Sequence, residues 1–314
     1  MSPRSFFLLT FAVAAMACSS GSGEPEDTGG SGDTTSGPGS STATGTPTGG
    51  SGTGGLDDIG SIAGGNVTVG AGGAGGGESE CKSVLDVVYR DFKGMHPDFE
   101  MDFRGDGVRR KLVKPELDAE QKPQFLDSVG CPPDLQTPLD CQPNATANQV
   151  VINGKDTFDQ WYRDVPGVNM TFEKTLELEE SAPGSGQFIF DSSDFFPLLP
   201  TEGFGIDPPN GKNQNFSFTT EIHLKFGYVA GQKFSFRGDD DMWIFVNGKL
   251  ALDLGAMHGP ESGVIDFDAQ AQYLGIYPGT TYPMDIFHAE RHTDGSNFHI
   301  ETNISCFVPV DVPR

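Results

Sequence analysis

The chain has 314 residues, 44 of them acidic and 20 basic, for a formal net charge of −24. That sign repels phosphate, so nucleic acid and anionic membrane surfaces are excluded as partners. It suits cation binding, and equally well plain solubility.

One positive charge, Arg4, precedes an almost wholly apolar run from Phe6 to Ala17. This is the pattern of a secretory signal, too short for a bilayer span of about 20 residues. Ala15-Met16-Ala17-Cys18 closes the run and resembles a bacterial lipobox, with Ala15 where most lipoboxes carry Leu. Residues 1–18 are therefore expected to be a signal peptide ending in a lipidated Cys18. The chain would be exported and held by lipid to the bacterial cell envelope, at the outer membrane or cell surface, with free secretion as the alternative. The lipid would be its sole contact with a membrane.

Residues 19–80 contain no Lys, Arg, His, Cys or aromatic side chain, and eight acids among Gly, Ser and Thr. Such a segment cannot bury enough apolar surface to offset its conformational entropy. A disordered linker is expected, with a reach of tens of ångströms. Residues 81–314 hold nearly all the aromatic side chains and read as one β domain. Their four cysteines, Cys81, Cys131, Cys141 and Cys306, suggest two disulfides in an exported protein. Of the three possible pairings, Cys131–Cys141 and Cys81–Cys306 are favoured. The first closes a Pro-rich loop and the second ties the ends of the domain.

Strands are expected at Leu85–Phe92, Asn169–Glu179 and Gln187–Phe190, from short β-favouring runs between turn residues. Phe216, Phe218, Ile222, Leu224, Phe226 and Tyr228 share one parity, with Ser217, Thr219, Glu221, His223 and Lys225 between them. That alternation predicts a long half-buried strand. Gly231-Gln232 would turn it into Lys233–Phe236 as an antiparallel partner. Trp243–Val246 is apolar on both faces and should be central. Asn247-Gly248 is a strong hairpin signal, with Lys249–Leu254 returning. Val264–Phe267, Tyr282–Ala289 and Phe298–Cys306 complete the set, with Asp294-Gly295 as a further hairpin turn. Many short strands and no long amphipathic helix indicate an all-β sandwich or barrel.

Gly238-Asp239-Asp240-Asp241 is the most unusual local feature, three carboxylates directly before an apolar strand. Side by side they raise one another's pKa, which a hard cation would relieve, since Ca2+ takes 6–8 oxygens. A solvated acidic turn is the plain alternative. The run from Phe236 through Asp239-Asp240-Asp241, Trp243–Leu250 and Asp253 to His258 resembles the signature of the fibro-slime domain. Arg90–Phe92 with His96–Glu100, Trp161–Asp164, Phe195–Pro197, Asn215–Thr219 and Asp285–Thr293 with Ser296–Phe298 resemble its remaining parts, in order.

Fibro-slime domains are similar to the PA14 family of antiparallel β-sandwiches. The resemblance implies that fold, with few short helices. It also implies that Asp239 and Asp240 ligate Ca2+, joined by a cis peptide, with the ion holding sugar hydroxyls. Asp241 stands where PA14 domains have Gly. It is taken as a third metal ligand, with Asn247 and His258 as lesser candidates. His258 could instead contact a ligand or serve the backbone. Glu290, Arg291 and His292 are candidate ligand-binding residues on the same side. His288-Ala289-Glu290-Arg291-His292 is not a zinc-protease motif, because its Glu is displaced and a strand holds the two histidines roughly 13 Å apart.

No Walker loop, nucleophile elbow or dinucleotide fingerprint occurs, so no catalytic residue is assigned. The expected function is a non-catalytic cell-surface adhesion module recognising polysaccharide or matrix polymer through Ca2+. A structural slime or matrix component without sugar binding, or a glycan or ester hydrolase, are the alternatives. Mass spectrometry of the mature N-terminus checks the anchor. An acylated Cys18 is expected, and a mature chain beginning elsewhere without lipid would overturn it.

Overall fold

The computed structural model describes residues 83–101, 107–131, 150–207, 209–292 and 295–310. The signal segment, Cys18 and the linker to residue 80 lie outside the described residues, as do Cys81 and Cys141. Twelve strands in these residues form two antiparallel sheets. The first sheet runs β2 (Asn169–Glu177), β1 (Val84–Phe92), β5 (Phe218–Gly227), β10 (Thr281–Glu290), β7 (Asp241–Val246) and β8 (Lys249–Leu254). β12 (Phe307–Pro309) pairs with β5 beyond the end of β1. The second sheet runs β3 (Glu179–Glu180), β4 (Phe188–Ser192), β11 (Phe298–Thr302), β6 (Lys233–Gly238) and β9 (Glu261–Asp266).

The two sheets pack face to face as an antiparallel β-sandwich. Ile222 and Leu224 of β5, Ile244 of β7 and Ile286 of β10 meet Phe234 and Phe236 of β6 and Ile300 of β11 in one apolar core. Each of these side chains is fully buried, and each removes on the order of 1.5–3 kcal/mol of apolar surface from water. The first sheet carries a second core on its outer face. There Trp243, Phe245 and Phe287 pack under Phe99, Leu112, Val151, Phe158 and Trp161 from the long connections. A short helix, α1 (Lys155–Phe158), belongs to this cap.

The capped outer face alters the reading of β5. Its alternation predicts one wet face, but Thr219, Glu221 and His223 are as buried as Ile222 and Leu224. The polar parity faces the cap and not solvent. Lys233 does not begin a hairpin partner either: β6 lies in the opposite sheet, so Gly231-Gln232 is a crossover between layers. β11 likewise lies in the sheet opposite β10, so the two are not hairpin partners; Asp294 of the expected Asp294-Gly295 turn lies outside the described residues. Asn247-Gly248 does close a hairpin, between β7 and β8, with φ of 52° and 74°, as two-residue turns of this kind require. The expected strand Asn169–Glu179 is split into β2 and β3, and the expected Phe298–Cys306 ends at Thr302 as β11, with β12 following beyond Cys306.

β9 starts earlier than expected, at Glu261, and gives way to a helix, α2 (Phe267–Leu274). Asp266 caps it by accepting from Ala269 N, and Gly275 ends it at φ 70°. Both signals stand in the sequence, Asp before the helix and Gly after it. Cys131 and Cys306 are each disulfide-bonded, and their expected partners lie outside the described residues.

A charged knot holds the cap to the first sheet. Arg90 Nη1 donates to Glu221 Oε2 at 2.5 Å and Arg90 Nε to Asp164 Oδ1 at 2.9 Å. Lys122 reaches in from the cap to Glu221 Oε1. His223 bridges Glu221 at 2.7 Å and Asp285 at 2.6 Å. Burial pushes the Glu221 carboxyl up, but the His223 hydrogen bond and the charges of Arg90 and Lys122 outweigh it and hold it below the usual range. Burial pushes the His223 ring down, and its bonds to Asp285 and Glu221 outweigh that and raise it.

Glu221→Ala would remove the buried carboxylate that Arg90, Lys122 and His223 share, and a loss of about 3–5 kcal/mol is expected in urea unfolding. A raised histidine pKa contributes stability that is full below its unfolded value, about 6.5, and is lost as pH rises through the folded value. The wild-type melting temperature should therefore fall as pH rises above neutrality. In His223→Gln that part of the pH dependence should be absent.

Candidate functional site

The acidic triplet is the corner where the chain leaves the second sheet for the first. β6 ends at Gly238, where a Cβ would lie 2.4 Å from Asn297 O and 2.5 Å from the Phe236 ring. A glycine is needed for that approach. Asp240 follows at φ 42°, a conformation Asp tolerates better than most residues. β7 then begins at Asp241, in the other layer.

The corner points its three carboxylates in three directions. Asp239 Oδ2 accepts from Asn297 N at 3.0 Å and Asn297 Nδ2 at 2.6 Å. Asp240 Oδ1 accepts from His258 N at 3.1 Å, and its Oδ2 from Arg291 N at 2.9 Å. Asp241 Oδ1 accepts from Ala256 N at 2.6 Å, and its Oδ2 from Arg291 Nε at 2.6 Å. The triplet thus staples two loops, the one after β8 and the one between β10 and β11.

Arg291 is the centre of this staple. Its guanidinium is fully buried, 4.7 Å from the centre of the Trp161 ring. Nη1 donates to Asp98 O at 2.9 Å and Val151 O at 2.8 Å. Arg291 is therefore a structural residue joining the corner to the cap, and not a surface contact for a ligand. Asp241 is committed to it. His258 also serves the backbone, with Nδ1 bonded to Gly259 O at 2.8 Å. His292 is exposed. Asn247 sits at the far end of β7, where its amide donates to Leu274 O at 3.0 Å. The structure does not bring it to the triplet.

What remains uncommitted is mostly oxygen. Asp239 Oδ1 and both oxygens of Glu290 are buried without a hydrogen-bond partner, and so is Arg291 Nη2. Ser296 lies beside Glu290, but its hydroxyl donates to Phe195 O at 2.8 Å. Burial raises the Glu290 carboxyl well above its usual range, and the charges of Asp240 and Asp239 add to this. Burial likewise pushes Asp240 up to about 6, with Asp241 adding and Arg291 opposing. His288, beneath the corner, is pushed down to about 3 by burial and is neutral. It bonds Asp239 O at 3.1 Å and Thr220 Oγ1 at 3.1 Å. Sequence reasoning missed His288 and Asn297. The latter's signal was its place beside Phe298 in the fibro-slime resemblance.

The donor chemistry suits a hard cation in part. Asp239 Oδ1 and the Asp240 carboxylate are hard oxygens with capacity to spare, whereas Asp241 and His258 are already engaged. Among the described residues, no three His, Cys, Asp or Glu side chains stand close enough to share an ion. An ion held by Asp239 and Asp240 would need main-chain oxygens or water for its remaining ligands.

Residues 203–306, which contain this corner and both loops, match the family model described as PA14 domain. Three curated proteins of Dictyostelium discoideum are similar to the chain. psiJ is 32% identical over 237 residues, covering 70% of this chain and 31% of psiJ. psiN is 34% identical over 233 residues, covering 69% and 30%. psiD is 32% identical over 229 residues, covering 71% and 41%. The chain thus spans well under half the length of these relatives. Two solved structures are similar at low identity. The PA14 sugar-binding domain from an RTX adhesin has a TM-score of 0.21 and 16% identity, over 28% of this chain and 47% of that one. The PA14 domain of MpAFP antifreeze protein has a TM-score of 0.24 and 11% identity, over 40% and 72%.

An acid with a raised folded pKa destabilises the fold as pH rises between its unfolded and folded values. For Asp240 that window runs from 3.8 to about 6. In chelator, wild-type stability should fall across it. Asp240→Asn should flatten the fall, as read by thermal melts at stepped pH.

Proposed function

We propose that the chain is a non-catalytic binding module of the cell surface, which holds polysaccharide or matrix polymer through Ca2+ at Asp239 and Asp240. The observation that carries this reading is the unpartnered Asp239 Oδ1 beside Asp240, at the corner between two sheets. A buried carboxylate oxygen without a donor is costly, and a cation would relieve it. The match of residues 203–306 to the PA14 model supports the same reading. Bound there, Ca2+ would supply open coordination positions for vicinal hydroxyls. Asp239 and Asp240 would hold it, Arg291 would keep Asp241 out of the way, and His288 would fix Asp239 through its carbonyl. His292 and Gly259 are exposed next to buried site residues and would meet the polymer.

A hydrolase is the weaker reading, since these carboxylates are 5% exposed or less and would reach a sugar only through a bound ion. The architectural alternative, a matrix component without sugar binding, draws on the Asp241–Arg291 pair, which needs no ligand. Export and a lipid at Cys18 would place the module at the surface, with residues 19–80 as its tether. Among the described residues no helix is long and apolar enough to cross a membrane.

Calorimetry on the full chain should show Ca2+ uptake that Asp239→Asn and Asp240→Asn each weaken by at least about tenfold. A glycan array should show binding that chelator abolishes. Absence of Ca2+ uptake by the wild type would overturn the metal claim, and chelator-resistant self-association without glycan binding would favour the architectural reading.

A further inference from the structure

A second site lies at the open edge of the sandwich, where the chain passes from β2 to β3 and β4. A cleft of about 770 Å³ opens there between the two layers, within the ~300–1,000 Å³ range of small-ligand sites. Its base is aromatic. Phe190 and Phe196 line it partly exposed, and Tyr89 lines it while being 98% buried, with 2% relative exposure. The Tyr89 ring packs on Phe195 and Phe218. Its hydroxyl makes no hydrogen bond among the described residues, a polar group left waiting at the base of the cleft.

The rim is acidic and only partly compensated: Asp191 faces His299 at 3.1 Å, and Glu180 accepts from Gly184 N and Gly186 N. Glu177, Glu179 and Asp194 are exposed along it, and no cation pairs with them among the described residues. The cleft's own cation, Lys174, is spent: Nζ donates to Glu202 Oε2 at 2.6 Å and to Pro197 O at 2.7 Å. A ligand that fits must therefore bring positive charge to the rim, an apolar or ring face to the phenylalanines and a hydrogen-bonding group to Tyr89. Ammonium groups also bind favourably over aromatic faces. A free inorganic cation has no use for the aromatic base, and a neutral sugar none for three carboxylates.

We propose that this cleft binds an amino-sugar oligomer with free amines, its ammonium groups on Glu177, Glu179 and Asp194, its rings on Phe190 and Phe196, and one hydroxyl on Tyr89. The site is independent of any cation at Asp239, so chelator separates its failure from that of the reading above.

The test is calorimetry on the full chain in chelator, with a glucosamine tetramer, its fully N-acetylated counterpart and tetralysine. The glucosamine tetramer should bind, with affinity falling steeply as salt is added. The N-acetylated form should bind at least about tenfold more weakly. Glu179→Gln with Asp194→Asn, both surface changes, should weaken binding of the free amine to a similar extent. Tyr89→Phe should weaken both sugars and leave tetralysine unchanged. Equal binding of the acetylated tetramer would overturn the role of the amines. Tetralysine binding as tightly as the amino sugar, or insensitivity to Tyr89→Phe, would reduce the cleft to a general acidic field and overturn the assignment. No binding of the glucosamine tetramer would overturn it outright.

Discussion

A dry guanidinium organises this protein. Arg291 stands at the end of β10 with no exposed surface, and a charge taken out of water must be met on several sides. Asp241 meets it from β7, the carbonyls of Asp98 and Val151 from the cap, and the Trp161 ring from above. Those partners come from parts of the chain up to 193 residues apart. Meeting one side chain on these sides therefore ties the end of the first sheet, the outer cap and the corner between the sheets to one another.

The two buried charge systems of the domain differ in balance. In the knot around Glu221, the cations Arg90, Lys122 and His223 face the carboxylates of Glu221, Asp285 and Asp164. At the corner, the carboxylates of Asp239, Asp240, Asp241 and Glu290 outnumber the guanidinium of Arg291, which bonds Asp241. The surplus shows in the raised Asp240 and Glu290 carboxyls and in the oxygens left without donors. The knot balances its charge, with Arg90 Nη2 its one buried atom left without a partner among the described residues, and works as structure. An unbalanced corner is either protonated or completed by a cation, and that difference makes it the candidate site.

The open edge of the sandwich carries a third kind of chemistry. β2 and β3 are edge strands, and the acids near them also discourage pairing with further strands. Charge that protects an edge and charge that receives an amine are the same charge, which is how one rim can serve both ends.

Local patterns were enough to place most strands and to single out Asp239 and Asp240. Period-two alternation marks β5, short β-favouring runs mark β1 and β4, the apolar run marks β7, and Asn247-Gly248 marks the one hairpin the chain order makes obvious, because each signal is carried by neighbouring residues. The sequence also held the cap signals of α2, Asp266 and Gly275, in plain view. What no local pattern contains is which layer a strand joins. β6 and β11 look like hairpin partners of β5 and β10 until the sandwich places them opposite. Nor can alternation tell solvent from a second core, so Glu221 and His223 read as surface residues until the cap covers them. The same holds at the site: three adjacent aspartates are one feature in the sequence and three separate roles in the fold. Composition and spacing determined what chemistry is present. Tertiary packing alone decided which oxygens that chemistry leaves unsatisfied, because burial and partnership depend on residues far away in the chain.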